Sequence, residues 1–213
     1  MIGTRPDIAY AVSTVSRFME RPSTQHWNCV KQIFRYIRGT SSHFIQYQLS
    51  PTTTLVDSIT TYCDADWAGD IDTCRSTTGY LTIFNGGPIS WNSRLQPTVA
   101  KSSTEAEYIG LSSACDEVIW LRQLLQDLDY ILTIPTTIYE DNQGAIDLSY
   151  NPVHHKRTKH IDVRYHAIRE KIEDGSIEVK HISTDIQLAD ILTKSLSKIR
   201  FNNLKSSILS NAV

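Results

Sequence analysis

The stretch "ITTYCDADWAGD", residues 59–70, decides how the rest of the chain is read. Ile59 to Cys63 are good strand formers, and they run directly into Asp64, Asp66 and Asp70, with Trp67 among them. β-Branched and aromatic residues favour a pleated, half-buried strand. Carboxylates crowded at the end of such a strand repel one another, and burying them costs several kcal/mol unless something cationic offsets the charge. The question is what gathers like charges there.

On the C-terminal side of this stretch the pattern continues as strands. "GYLTIF" (79–84) and "PISWNS" (88–93) flank "NGG" and read as a hairpin. A long helix is expected over 104–128, where Leu111, Ala114, Val118, Leu121, Leu125 and Leu128 recur at helical spacing. "TTIYED" (136–141) reads as a fourth strand and "QGAIDLSY" as a short helix. Residues 160–174 read as another helix and 176–183 as a strand. A last helix starts near Gln187, and a weaker one covers 198–210. Three antiparallel strands, a helix, then strands alternating with helices imply an α/β fold with a mixed five-stranded sheet and helices on both faces.

On the N-terminal side the periodicity is helical. Pro6 and Asp7 open a helix over 6–20 with Ile8, Ala11, Val12, Val15 and Phe18 as its apolar stripe. A second helix, 23–38, carries Trp27, Val30, Ile33, Phe34 and Ile37 on one face, and Gly39 closes it. "SPTTTLVDS" (50–58) has the composition of a linker. The expected division is a small helical segment at 1–50, a linker at 51–58, an α/β domain at 59–200 and a C-terminal tail at 201–213. Trp27, Trp91 and Trp120 sit in apolar patterns and are expected in the core, whereas Trp67 is the aromatic placed to face a substrate.

The 213 residues carry a net charge of −2 with 40% apolar content, so no global basic signature marks the chain as a nucleic-acid binder. Cys29, Cys63, Cys74 and Cys115 form no zinc-like pair and suggest no disulfide framework, as expected in a reducing compartment. No stretch reads as a signal peptide or a membrane span. The expectation is a soluble, intracellular protein without a membrane partner.

Four acids fall at element ends. Asp64 ends the first strand of the sheet, and Glu107 lies early in the long helix on the stripe of Leu111 and Ala114. Asp141 ends the fourth strand, and Asp190 sits beside Leu188, Ile191 and Leu192. Strands of an open sheet present their carboxyl ends to one crevice, the usual place for a site. Each acid also has a local role to fill. Glu107 completes a capping box with Thr104, unless Ser102 and Glu105 form it instead. Asp141 with Asn142 suits a turn or helix cap, and Asp190 suits a helix N-terminus. Asp66 shares the face of Asp64 in an extended strand but is expected in the following turn. Together the four form an all-oxygen set suited to Mg²⁺ or Mn²⁺, and two such ions promote phosphodiester hydrolysis.

Several long words of the sequence resemble the ribonuclease H domain of copia-type retrotransposon polyproteins. They are "YCDADWAGD" (62–70), "RSTTGYLTIFNGGPISWNSRLQPTVAKSSTEAEYIGLSSA" (75–114), "YEDNQGAI" (139–146), "NPVHHKRTKHIDVRYHAIREKI" (151–172) and "QLADILTKSL" (187–196). The resemblance implies a ribonuclease H-like fold and hydrolysis of the RNA strand of an RNA–DNA hybrid. Catalysis would use two Mg²⁺ or Mn²⁺ ions, with Asp64, Glu107, Asp141 and Asp190 as the catalytic and metal-binding acids. It also implies a place in retrotransposon particles in the cytoplasm. Residues 3–40 resemble the segment between the copia polymerase palm and its ribonuclease H. They therefore resemble a thumb or connection remnant, with the remainder of the reverse transcriptase as partner. The polymerase's aromatic-x-Asp-Asp motif is absent, so no DNA synthesis is expected of this chain alone. A truncated, non-catalytic nucleic-acid-binding or interaction protein is the alternative.

The segment 154–171 concentrates basic residues, among them Lys156, Arg157, Lys159 and Arg164. These four are expected to hold phosphates of the hybrid, giving affinity without sequence readout. His160 and His166 are six apart and face different sides of a helix, which argues against zinc. His181, close before Asp190 in sequence, lies within an expected strand and receives no catalytic role.

Overall fold

The structure, a computed structural model, describes residues 3–47, 59–150 and 159–212, with side chains in the last stretch from His166 onward. The expected linker at 51–58 lies outside the described residues. In chain order the elements are a 3-10 turn (Pro6–Ile8), α1 (Ala9–Ser16), α2 (Thr24–Gly39), β1 (His43–Phe44), β2 (Thr60–Asp66), β3 (Thr77–Phe84), β4 (Gly87–Leu95) and α3 (Ser103–Asp127). There follow β5 (Thr136–Glu140), α4 (Gln143–Tyr150), α5 (Lys159–Glu173), β6 (Ile177–His181), 3-10 turns at Thr184–Ile186 and Leu188–Leu192, α6 (Lys198–Ser206) and β7 (Ser210–Asn211).

The expected mixed five-stranded sheet is present, in the order β4-β3-β2-β5-β6. β2, β3 and β4 are antiparallel neighbours, while β5 runs parallel to β2, and β6 parallel to β5. The β3–β4 hairpin turns at Asn85 and Gly86, with φ of 49° and 76°. Two successive left-handed residues match the twist of a tight hairpin, which is why an Asn-Gly pair stands there. Because β2, β5 and β6 share a direction, their carboxyl ends lie along one edge.

Helices cover both faces. On one, Leu111, Ala114 and Val118 of α3, Ala145 and Ile146 of α4 and Ile168 of α5 pack on Cys63, Ile138, Ile177 and Val179 of the sheet. On the other, Leu188, Ile191 and Leu192 join Leu81 with Ala9 of α1, Leu204 of α6, and Ile208 and Leu209. Each fully buried aliphatic of these layers contributes about 1.5–3 kcal/mol relative to exposure.

Several expectations are corrected. The strand expected at 59–63 continues to Asp66, so Asp64 and Asp66 are both strand residues and Asp66 is not in the turn. The helix expected to begin near Gln187 is instead a five-residue 3-10 turn. The first N-terminal helix ends at Ser16. α2 starts where expected, capped by Ser23, but buries none of its residues fully. Trp27 is 58% exposed and Trp120 57%, so neither belongs to the core, whereas Trp91 packs partly buried against the second layer. The far C-terminus adds an unforeseen pairing, in which His43 and Phe44 of β1 lie antiparallel to Asn211 and Ser210 of β7.

Candidate active site

Asp64, Glu107 and Asp141 come together. Each offers a carboxylate oxygen within 4.8 Å of the others. Asp64 projects from β2, two residues beyond the last pairing of β2 with β5 at Tyr62 and Tyr139. Past that pair the strands part, and buried Gln187 fills the gap. Its side-chain amide donates to Cys63 O at 2.9 Å and to Tyr139 O at 3.4 Å. Tyr139 O also accepts from Cys63 Sγ at 3.6 Å, and a buried carbonyl left without a partner costs about 1–3 kcal/mol. A single glutamine thus holds open the edge at which the acids meet.

Glu107 arrives from α3. Ser102 caps that helix by accepting from Glu105 N, and Glu105 reaches back to Lys101 N at 2.8 Å. The cap is therefore made by Ser102 and Glu105, and Glu107 is released to the site. Its Oε2 accepts from Ala65 N at 2.6 Å. The cap of α4 likewise falls to Asn142, whose Oδ1 accepts from Ala145 N. Asp141 keeps its side chain for the crevice, where Oδ2 accepts from Thr184 Oγ1 at 2.7 Å.

Asp190 is fully buried but stands outside the close trio. Its Oδ1 lies 2.7 Å from Lys194 Nζ, and its Oδ2 is bound by Arg200. The same Lys194 ammonium is 3.4 Å from Asp64 Oδ1, so one cation joins the fourth acid to the first. Asp64 is also bound by the Thr193 hydroxyl. The 190–193 segment reaches β2 because Gly79 faces it from β3. A Cβ on Gly79 would lie 2.7 Å from Thr193 Cγ2 and 2.8 Å from Leu192 Cβ.

The electrostatics are those of a crowded, desolvated set. Burial pushes Asp64 up from 3.8 to about 7, and Asp190 and Asp141 add to the rise against the pull of Lys194 and Thr193. Burial also raises Glu107, reinforced by Glu140, Asp64 and Asp141. Glu140, fully buried, is a fifth acid near the site that the sequence reading missed. Burial lifts it to about 8, although it accepts from Asn142 N at 3.0 Å and from Cys63 Sγ at 3.1 Å. Its signal was the double acid "ED" closing the fourth strand. Lys194, also missed, stands four residues after Asp190 in "ADILTK".

Of the three acids in the opening stretch only Asp64 enters the cluster. Asp66 is bound by Thr77 N, and Asp70 takes Thr73 N at 2.9 Å and Arg17 at 3.0 Å. Trp67 is 55% exposed, with its Nε1 donating to Ala100 O. His181 is exposed at the end of β6. Lys156 and Arg157 lie outside the described residues, and Lys159 and Arg164 lie on α5 ahead of its described side chains.

The oxygen-only donor set fits a hard divalent cation. Three carboxylates within mutual reach, at least two of them held toward the neutral state by burial and like charge, are a group that such an ion would stabilise in its ionised form.

Comparison with known proteins identifies the lineage. The chain is 48% identical over 213 residues to the retrovirus-related Pol polyprotein from transposon TNT 1-94 of Nicotiana tabacum, covering 98% of this chain and 15% of that protein. It is 46% identical over 205 residues to the Pol polyprotein from transposon RE1 of Arabidopsis thaliana, covering 96% of this chain and 14% of that one. The chain belongs to the copia-type retrotransposon Pol polyprotein family. It spans about 15% of the length of the curated copia-type relatives it matches. No protein-family model matches it. Among solved structures, LC11-RNase H1 isolated from compost is 17% identical, with a TM-score of 0.49 over 65% of this chain and 94% of that one. No helix among the described residues of this Pol segment is long and apolar enough to cross a membrane.

Proposed function

We propose that this chain is the ribonuclease H segment of a copia-type Pol polyprotein and that it hydrolyses the RNA strand of RNA–DNA hybrids with Mg²⁺ or Mn²⁺. The observation that carries the reading is the convergence of Asp64, Glu107 and Asp141 within 4.8 Å, from a strand, a helix and a strand end far apart in sequence. The catalytic acids are Asp64, Glu107, Asp141 and Asp190, which are also the metal ligands, for two ions. When bound, divalent ions supply neutralisation of the scissile phosphate's charge and activation of the attacking water.

The chain's own residues supply position. Ala65 N holds one oxygen of Glu107, Thr184 one of Asp141 and Thr193 one of Asp64, so the three carboxylates are oriented before substrate arrives. Such preorganisation removes reorganisation from the chemical step. Lys156, Arg157, Lys159 and Arg164 grip the phosphates of the hybrid, a contact made by charge and shape. The rest of the reverse transcriptase is the partner of the N-terminal helices, and the reaction takes place in the cytoplasm. The free thiols of Cys29, Cys63, Cys74 and Cys115 suit that reducing setting.

The test is cleavage of an end-labelled RNA–DNA hybrid in Mg²⁺ or Mn²⁺. Cutting confined to the RNA strand, lost on chelation and in Asp64→Asn and Asp141→Asn, is the expected result. No cutting in either metal, with the chain folded, refutes the proposal.

A further inference from the structure

Lys194 is the one cation that touches two members of the acid cluster among the described residues, bridging Asp64 Oδ1 at 3.4 Å and Asp190 Oδ1 at 2.7 Å. Both carboxylates are almost fully withdrawn from water, with side chains 1% and 0% exposed, while the Lys194 side chain is 34% exposed. The ammonium therefore sits at the mouth of the gap between two buried acids. Glu107 and Asp141 make no ion pair among the described residues, although Asp141 is near enough to help raise the Lys194 ammonium. The cluster is thus divided. One half, Asp64–Glu107–Asp141, is a set of carboxylates without a cation of its own. The other half, Asp64–Asp190, already holds one.

We propose that Lys194 is a resident cation of this site, occupying the place between Asp64 and Asp190 that a divalent ion would otherwise fill. The folded chain then takes up one divalent ion readily, at Asp64, Glu107 and Asp141, and a second only by displacing the Lys194 ammonium. The inference rests on the proposed metal-dependent hydrolysis and adds an order of loading to it.

Space forces the competition. Mg²⁺ binds oxygens at about 2.0–2.1 Å in near-octahedral geometry, and an ammonium ion-paired with the same oxygens excludes it. Arg200 already binds the other oxygen of Asp190, so the gap between Asp64 and Asp190 is the route by which Asp190 could reach a shared ion. The exit is available, because Lys carries its charge on a flexible four-carbon stem and this side chain is one-third exposed. An arginine at this position would be larger and forked, and a neutral residue would leave the gap to the metal. A backbone turn in which Lys194 N donates to Asp190 O at 3.3 Å brings the lysine back beside Asp190.

The test is calorimetric titration of Mn²⁺ into the whole 213-residue chain, comparing wild type with Lys194→Met, Lys194→Gln and Glu107→Gln. The expected wild-type result is one ion bound at least about tenfold more tightly than a second. In the Lys194 variants the second ion is expected to tighten at least about tenfold while the first is little changed. Two wild-type sites of equal affinity, or a second site unmoved by either substitution, overturns the inference and leaves the hydrolytic reading standing. No ion bound by any folded variant removes both. Should the Lys194 variants not fold, reductive methylation of wild type followed by mass spectrometry decides the matter. Lys194 is expected to be protected until the metal concentration fills the second site and to react beyond it. Reactivity that stays constant across the titration overturns the proposal.

Discussion

Asp7, beside the N-terminal helices, and Asp64, in the central strand, are 4% and 1% exposed. Asp7 has a full set of partners. Arg5 meets it twice, Nε to Oδ1 at 2.9 Å and Nη2 to Oδ2 at 2.8 Å, and the Tyr36 hydroxyl donates to Oδ2 at 2.5 Å. Arg5 goes on to Thr40 O and Oγ1, tying the start of the chain to the end of α2. A bidentate guanidinium is the arrangement that most fully replaces water around a carboxylate. Asp64 shares a single ammonium with Asp190 and lies against Glu107 and Asp141. Burial with partners makes Asp7 a structural joint. Burial without enough of them leaves the Asp64 cluster short of positive charge, a shortage that the proposed divalent ion would relieve.

The contrast can be broken at either end. Asp64→Asn is expected to lower hybrid cleavage at least about a hundredfold while the metal-free chain keeps or gains stability, measured by initial rates and urea unfolding. Asp7→Asn should behave in the opposite way. Losing one partner of a buried pair costs about 3 kcal/mol, read as a lower urea midpoint, with cleavage per folded molecule unchanged. Gly79→Ala tests whether the Asp64 side depends on close approach of the 190–193 segment. The added methyl has to displace Thr193 and Leu192, at a cost of about 1–3 kcal/mol, and cleavage should fall more steeply than stability.

The smallest effect is the pH dependence of the metal-free chain. The Asp64 pKa rises from 3.8 to about 7 on folding, so the folded state holds its proton more tightly than the unfolded one. That contribution to stability is complete below about pH 4 and is lost as pH rises through about 7. Metal-free melting temperature should decline across this window, the decline should flatten in Asp64→Asn, and Mg²⁺ should restore the loss.

Much of this was legible from one-dimensional pattern. Strand runs ending in acids, the Asn-Gly hairpin and the periodicity of α3 each express a local preference that the fold respects. The rest depended on competition between equally good local roles. Thr104 and Ser102 both offered a cap for α3, and only the cap at Ser102 frees Glu107. Asp141 and Asn142 both suited the start of α4, and Asn142 took it. The apolar stripe of α2 pointed to a core helix, yet Trp27 and Phe34 are exposed, because a periodic face says that a helix is amphipathic and not what covers it.

The sequence by itself determined the five sheet strands, most of the helices, their order and the candidate acids, since these follow from side-chain shape, period and spacing along the chain. Only the tertiary structure decided which acids meet and which cation stands among them. Glu140, held by Cys63 and Asn142, is near enough to raise Glu107, and Lys194 bridges Asp64, 130 positions away in sequence, and Asp190, four away. Electrostatic energy depends on distance and desolvation in three dimensions, and neither quantity is carried by the order of residues in a chain.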